Sequence, residues 1–133
     1  MTVFVDTSAL YAILDADDRQ HSPAAAEWQR LVVDSSQLIT TNYVLLESTA
    51  LLQHRLGIEA VRSFELDICP LLRIEWIDAA RHAVGTESLL AAGRRRLSLV
   101  DCVNFAAMRE LGIRDVFAFD PHFAEQGFTC LPM

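Results

Sequence analysis

The chain has 133 residues and a mass of 14.9 kDa, with 52% hydrophobic and 22% charged residues. That is enough apolar sequence for one self-sufficient core and too apolar for intrinsic disorder. A formal net charge of −7 and a pI near 4.9 exclude a simple electrostatic nucleic-acid clamp. They do not exclude a nuclease, because a bound metal reverses the local sign.

Thr2–Val5 is a short apolar run with β-branched residues and predicts a buried strand. Asp6-Thr7-Ser8 supplies helix-capping side chains, and a helix follows over Ala9–Asp15. Ser22-Pro23 reads as an N-cap with proline at the first helical position, opening a helix to Val33. Gln37–Thr40 predicts a strand. Thr41 then caps a helix to Leu56, with Gly57 as a left-handed stop. Ile58–Ile68 predicts another helix, ended by Pro70, and Leu72–Ile77 a strand. Asp78 caps a helix to Ala92, closed by Gly93. After Arg94-Arg95-Arg96, the S-x-x-D pattern Ser98–Asp101 opens a helix to Leu111, with Gly112 at its end. Asp115–Phe119 predicts a strand, Asp120–Gln126 a turn or short helix, and Phe128–Leu131 a last strand. Short apolar strands separated by helices point to a single α/β domain over residues 1–133. It is a three-layer α/β/α arrangement with a central, mostly parallel twisted sheet and a helical insertion around residues 41–69.

The three cysteines form no CxxC pair, which argues against a disulfide framework or zinc ribbon and for a reducing compartment. No signal segment and no run of about 18 uncharged apolar residues is visible, so the expectation is a cytoplasmic protein without membrane attachment. All 11 basic residues are arginine, which excludes chemistry that needs a P-loop, Schiff-base or phosphoaspartate-site lysine.

Four acids stand out. Asp6 and Asp120 follow predicted strands, where open parallel sheets place their functional crevice. Asp101 lies in the first turn of a helix, which favours an anion. Glu47 interrupts the apolar run Tyr43–Leu52, and a carboxylate there needs a partner or a wet cleft. Each has a structural alternative: a cap for Asp6, half of a capping box for Asp101, a turn start for Asp120 and a solvated stripe for Glu47. Their coincidence is what favours a site. At ~5 Å and an effective dielectric of ~20, each pair of such charges costs on the order of 3 kcal/mol, so the cluster must take up protons or a cation. Oxygen donors favour Mg²⁺ or Mn²⁺, which suits phosphodiester hydrolysis.

Val3-Phe4-Val5-Asp6-Thr7-Ser8-Ala9-Leu10 resembles the opening of PIN-domain ribonucleases. Glu47, Ser98–Asp101 and Phe119-Asp120-Pro121-His122-Phe123 with Gly127-Phe128 match the family's later motifs in order and spacing. The length without an appended domain is similar to VapC toxins of type II toxin–antitoxin pairs. The resemblance implies a Mg²⁺- or Mn²⁺-dependent endoribonuclease that leaves 5′-phosphate and 3′-hydroxyl ends. It makes Asp6, Glu47, Asp101 and Asp120 the catalytic and metal-binding quartet, with hydroxyls of Thr7 and Ser98 supporting the acids. It also implies an RNA substrate, a homodimer and a cognate VapB-like antitoxin whose basic side chains enter the acidic pocket. Two alternatives stay open: a PIN nuclease of RNA maturation or decay, and a non-catalytic PIN-like interaction module.

Among other residues, Arg94–Arg96 either contact RNA phosphate or sit favourably beyond a helix C-terminus. His21, His54, His82 and His122 lack metal-ligand spacing, and His122, close in sequence to Asp120, reads as a surface histidine in preference to one that approaches the scissile phosphate. Tyr11, Trp28, Tyr43 and Trp76 read as core or dimer packing, and Phe105 and Met108 as core.

Overall fold

Strand β1, Thr2–Val5, opens the computed structural model, which describes residues 1–133. Successive strand residues point to opposite faces, yet Val3, Phe4 and Val5 are all buried, so both faces of β1 are covered. Helices α1 (Thr7–Leu14) and α2 (His21–Val33) lead to β2 (Gln37–Thr41). Helix α3 (Asn42–Leu56) and the short α4 (Ile58–Ser63) continue through a π-helical turn (Phe64–Ile68) and a 3₁₀ turn (Cys69–Leu71) into β3 (Arg73–Glu75). The helical hairpin α5 (Ala79–Ala92) and α6 (Leu99–Leu111) precedes β4 (Asp115–Phe117). A one-turn helix α7 (His122–Glu125) and β5 (Thr129–Leu131) complete the chain.

The five strands form one sheet in the order β3-β2-β1-β4-β5, and every pairing is parallel. The residues expected as a helical insertion are the crossover that a parallel β2–β3 pair requires. From β1 the chain builds β2 and β3 on one side, then returns to build β4 and β5 on the other. The topological switch therefore lies between β1 and β4, where Val5 stands opposite Phe117. A core of 25 buried residues runs through both layers and includes Phe105 and Met108. Cys69, Cys102 and Cys130 are free thiols. No helix is long and apolar enough to cross a membrane.

Local capping follows the sequence closely. Asp6, Thr41, Asp78 and Ser98 each accept a backbone N–H in the first turn of the following helix. Gly93 and Gly112 close α5 and α6 in the left-handed conformation. Within the hairpin, a Cβ at Gly85 would stand 2.4 Å from Val103 Cγ2, so only glycine lets α5 approach α6 this closely.

Several expectations need correction. Helix α2 starts at His21, not after Ser22, because Asp18 has already turned the chain by accepting from Gln20 N and His21 N. Pro23 sits two residues further in, still within the first turn, where a missing N–H costs nothing. Gly57 has φ 94° and ψ −176°, so it does not adopt the left-handed helical stop but an extended link that ends α3 and starts α4. Strand β3 stops at Glu75 because Ile77 N donates to Asn42 Oδ1 instead of to the sheet. Trp76, beyond that edge strand, is 68% exposed, which removes the core half of the expectation and leaves dimer packing open.

Candidate active site

All four acids converge on the switch point. The β1 backbone ends as Asp6 N donates to Phe117 O, which aligns Asp6 beside the end of β4. Asp6 Oδ2 accepts from Ser8 N at 3.1 Å and from Ser8 Oγ at 2.6 Å, leaving Oδ1 uncommitted. The Ser8 hydroxyl also accepts from Phe119 N at 2.9 Å. One serine thus ties the first acid to the segment carrying Asp120 and diverts β4 from its ladder, which is why that strand ends at Phe117 and not at Phe119.

Asp101 reaches the same point from α6. Its Oδ2 accepts from Ser98 N while Ser98 Oγ accepts from Asp101 N, a reciprocal capping box that fixes the carboxylate at the helix start. Asp120 Oδ1 accepts from His122 N at 2.9 Å, so a tight turn sets its direction. Glu47 enters from the middle of α3. Thr7 links this helix to α1 by accepting from Ser48 Oγ at 3.2 Å, and its hydroxyl lies close enough to Glu47 to stabilise that carboxylate.

The electrostatics record the crowding. Burial, with smaller contributions from the charges of Asp101 and Asp120, raises the Asp6 pKa to about 7 against the pull of Ser8. Burial also raises Glu47 and Asp101, and Asp120 adds repulsion to both. None of the chain's arginines pairs with any of the four acids. The protein supplies negative charge at one edge of the sheet and leaves its neutralisation to a ligand.

Residues 3–128 match the family profile described as PIN domain. The chain belongs to the PIN-domain family. Over 128 residues it is 34% identical to the 23S rRNA-specific endonuclease VapC20 of Mycobacterium tuberculosis, covering 96% of this chain and 95% of the relative. Its structure resembles the crystal structure of that VapC20, described as a sarcin–ricin loop cleaving toxin, with a TM-score of 0.83, 32% identity and 96% of each chain covered. The same fold occurs in FitAcB from Neisseria gonorrhoeae (TM-score 0.67, 18% identity, covering 98% of this chain and 96% of that one). It occurs again in PAE2754 from Pyrobaculum aerophilum (TM-score 0.65, 14% identity, covering 98% of this chain and 90% of that one). Within the PIN family this chain is a VapC-type endoribonuclease.

PIN nucleases depend on a divalent cation, and the donor set here fits one. Donor atoms of Asp101, Asp120 and His122 all lie within 4.8 Å of one another, and Asp6 Oδ1 is spare. Two of these contributors were not legible as such in the sequence. His122, expected on the surface, has a side chain only 16% exposed, turned toward Asp120 and Asp101. Ser8 supports Asp6, with the D-x-S spacing at a strand end as the signal that marks it, while Thr7 supports Glu47. Asn104, one turn beyond Asp101, is also fully buried, with Oδ1 accepting from Thr41 Oγ1 at 3.0 Å, and it joins α6 to the end of β2. Of the arginine run, Arg94 pairs with Glu125 on α7 at 3.1 Å, whereas Arg95 and Arg96 are exposed and unpaired.

Proposed function

We propose that this PIN domain is the toxin of a toxin–antitoxin pair and hydrolyses RNA with Asp6, Glu47, Asp101 and Asp120 around Mg²⁺ or Mn²⁺. The observation that carries the site assignment is the convergence of four carboxylates, without a single arginine partner, at the β1/β4 switch point. When bound, the divalent cation supplies Lewis-acid polarisation of the scissile phosphate and stabilises the developing negative charge. Asp101, fixed by its capping box, and Asp6, fixed by Ser8, hold that cation. Asp120 completes the holding set from the β4 side. Glu47, on α3, has its proton affinity raised by burial and by the charges of Asp101 and Asp120, which suits it to take the proton of the attacking water at its carboxylate oxygen.

The substrate reading follows the relative: we propose 23S rRNA, cut at the sarcin–ricin loop, where splayed bases of a structured loop present the phosphate to an open site. A cognate VapB-like antitoxin, homodimerisation and action in the cytoplasm belong to the same proposal. The test incubates purified protein with intact ribosomes and with naked 23S rRNA, adding Mn²⁺, Mg²⁺ or EDTA, and runs Asp101→Asn alongside. A single metal-dependent cut with a 5′-phosphate end, lost in the variant, is the expected result. A folded protein that cuts neither RNA with either metal sinks the proposal and favours a non-catalytic interaction module.

A further inference from the structure

The mechanism above uses carboxylates alone and leaves one side chain unexplained. His122 opens the one-turn helix α7 directly after Asp120-Pro121. Its Nδ1 is 3.1 Å from Asp120 Oδ1 and 3.7 Å from Asp101 Oδ2. Despite this closeness Nδ1 is buried without a hydrogen-bond partner, because its direction suits neither carboxylate as an acceptor. Meanwhile Asp120 Oδ1 is already engaged by His122 N, so the backbone turn, and not the ring, sets the carboxylate's position. A buried imidazole nitrogen facing two carboxylate oxygens is satisfied either by its own proton, as an ion pair, or by a cation that all three groups hold in common.

The spacing says what fits. Cis donors of an octahedral ion bound at about 2.1 Å stand about 3 Å apart, and donors at a wider angle stand further apart. The 3.1 Å separation is that of a cis pair, and the 3.7 Å separation falls between the cis distance and the ~4.2 Å of a trans pair, within reach of a common centre after a small side-chain adjustment. Donor atoms of all three residues lie within 4.8 Å of one another. The other histidines are engaged elsewhere or stand apart: His21 Nδ1 meets Ala12 O, His82 Nδ1 meets the Tyr43 hydroxyl, and His54 lies in the last turn of α3.

We propose that His122 is a direct ligand of the active-site cation, sharing it with Asp101 and Asp120, and that this nitrogen donor makes the centre select a transition ion such as Mn²⁺ over Mg²⁺. Mg²⁺ prefers a shell of oxygen donors and gains little from an imidazole, whereas borderline transition ions accept one readily. The inference rests on the metal-nuclease reading above but concerns metal binding, so RNA cleavage is not its readout.

The test uses the full metal-free chain with Mn²⁺ and no RNA. Pulsed electron paramagnetic resonance of bound Mn²⁺ shows a directly coordinated ¹⁴N, replaced by a ¹⁵N signature when histidine is ¹⁵N-labelled. His122→Asn abolishes the coupling and weakens Mn²⁺ binding on the order of tenfold in calorimetry. Mg²⁺ affinity moves by less than about threefold, because oxygen donors remain. A His21→Gln/His54→Gln/His82→Gln variant retains the coupling, which keeps the test decisive even where His122→Asn folds poorly. Mn²⁺ that binds to the wild type and is lost in Asp101→Asn, yet shows no nitrogen coupling, overturns the His122 assignment and leaves the acidic site standing. Persistence of the coupling in His122→Asn, or its loss in the triple variant, overturns the assignment too. No Mn²⁺ binding by the wild type overturns both readings.

Discussion

Two charged clusters in this molecule resolve the same problem in opposite ways. On the α5–α6 hairpin, Arg81 reaches Glu75 at 2.9 Å and Glu110 at 3.0 Å, donating to both. One guanidinium fork on α5 satisfies two carboxylates from two other segments, β3 and α6, and the cluster is complete without a ligand. At the β1/β4 switch point, four carboxylates meet with serine and backbone N–H partners but no arginine. Burial there lifts the Asp6 pKa to about 7, so that below this pH the carboxyl is neutralised by its own proton and not by a side-chain cation. The comparison separates an acid cluster that serves the fold from one that serves a ligand: the first carries its own counter-charge, and the second is held ready for an external one.

The sharpest way to break this contrast is to remove an acid from each cluster. Asp101→Asn at the switch point is expected to lower RNA cleavage by at least ~10³-fold, or ~4 kcal/mol of transition-state stabilisation, with the circular dichroism spectrum unchanged. Retained cleavage would show that the cluster is not catalytic.

The second prediction concerns pH. Folded Asp6 keeps its proton up to about 7, whereas the unfolded chain loses it near the ordinary value of 3.8. Between these values the folded state binds more protons, so metal-free stability falls as pH rises through that window. Asp6→Asn should therefore raise the melting temperature at pH 8, with a ceiling of ~4 kcal/mol, and confer no advantage below about pH 4. By the same linkage Mn²⁺ should stabilise the wild type more at pH 8 than at pH 5, because below about 7 it must displace a proton. An equal metal-induced rise at both pH values would contradict it.

Ser8→Ala tests whether support by neighbours sharpens the site. It strips the hydroxyl from Asp6 and leaves Phe119 N without its acceptor. Chemical denaturation is expected to show a loss of about 1–3 kcal/mol, with cleavage lower by roughly tenfold. The smallest effect is expected at the self-neutralised cluster. Arg81→Met, whose ion pairs are partly exposed, should cost about 1 kcal/mol of stability and leave the cleavage rate unchanged.

Much of the scaffold was legible because its signals are local. Asp6, Thr41, Asp78 and Ser98 announce helix starts through hydrogen bonds that span two or three residues. Val3-Phe4-Val5 announces a strand covered on both faces by composition alone. Errors fell where a distant partner intervened. Asp115–Phe119 reads as one strand, yet Ser8 takes the Phe119 N–H from 111 residues away and ends the strand early. His122 reads as a surface residue because no second histidine or cysteine stands at ligand spacing, and its carboxylate neighbour Asp101 comes from another helix.

By itself the sequence determined which residues cap, which strands are buried and which three acids, Asp6, Asp101 and Asp120, stand at element ends, because those properties depend on a turn or two of chain. Strand order is a different matter. Placing β4 beside β1 brings Asp120 to Asp6, carries α6 and its Asp101 to the same edge, and lets Thr7 and Ser48 lock α3 with Glu47 above them. Only the packed sheet decided that, because the repulsion among those carboxylates is overcome by burial of the core around them and not by any signal near each acid in the chain.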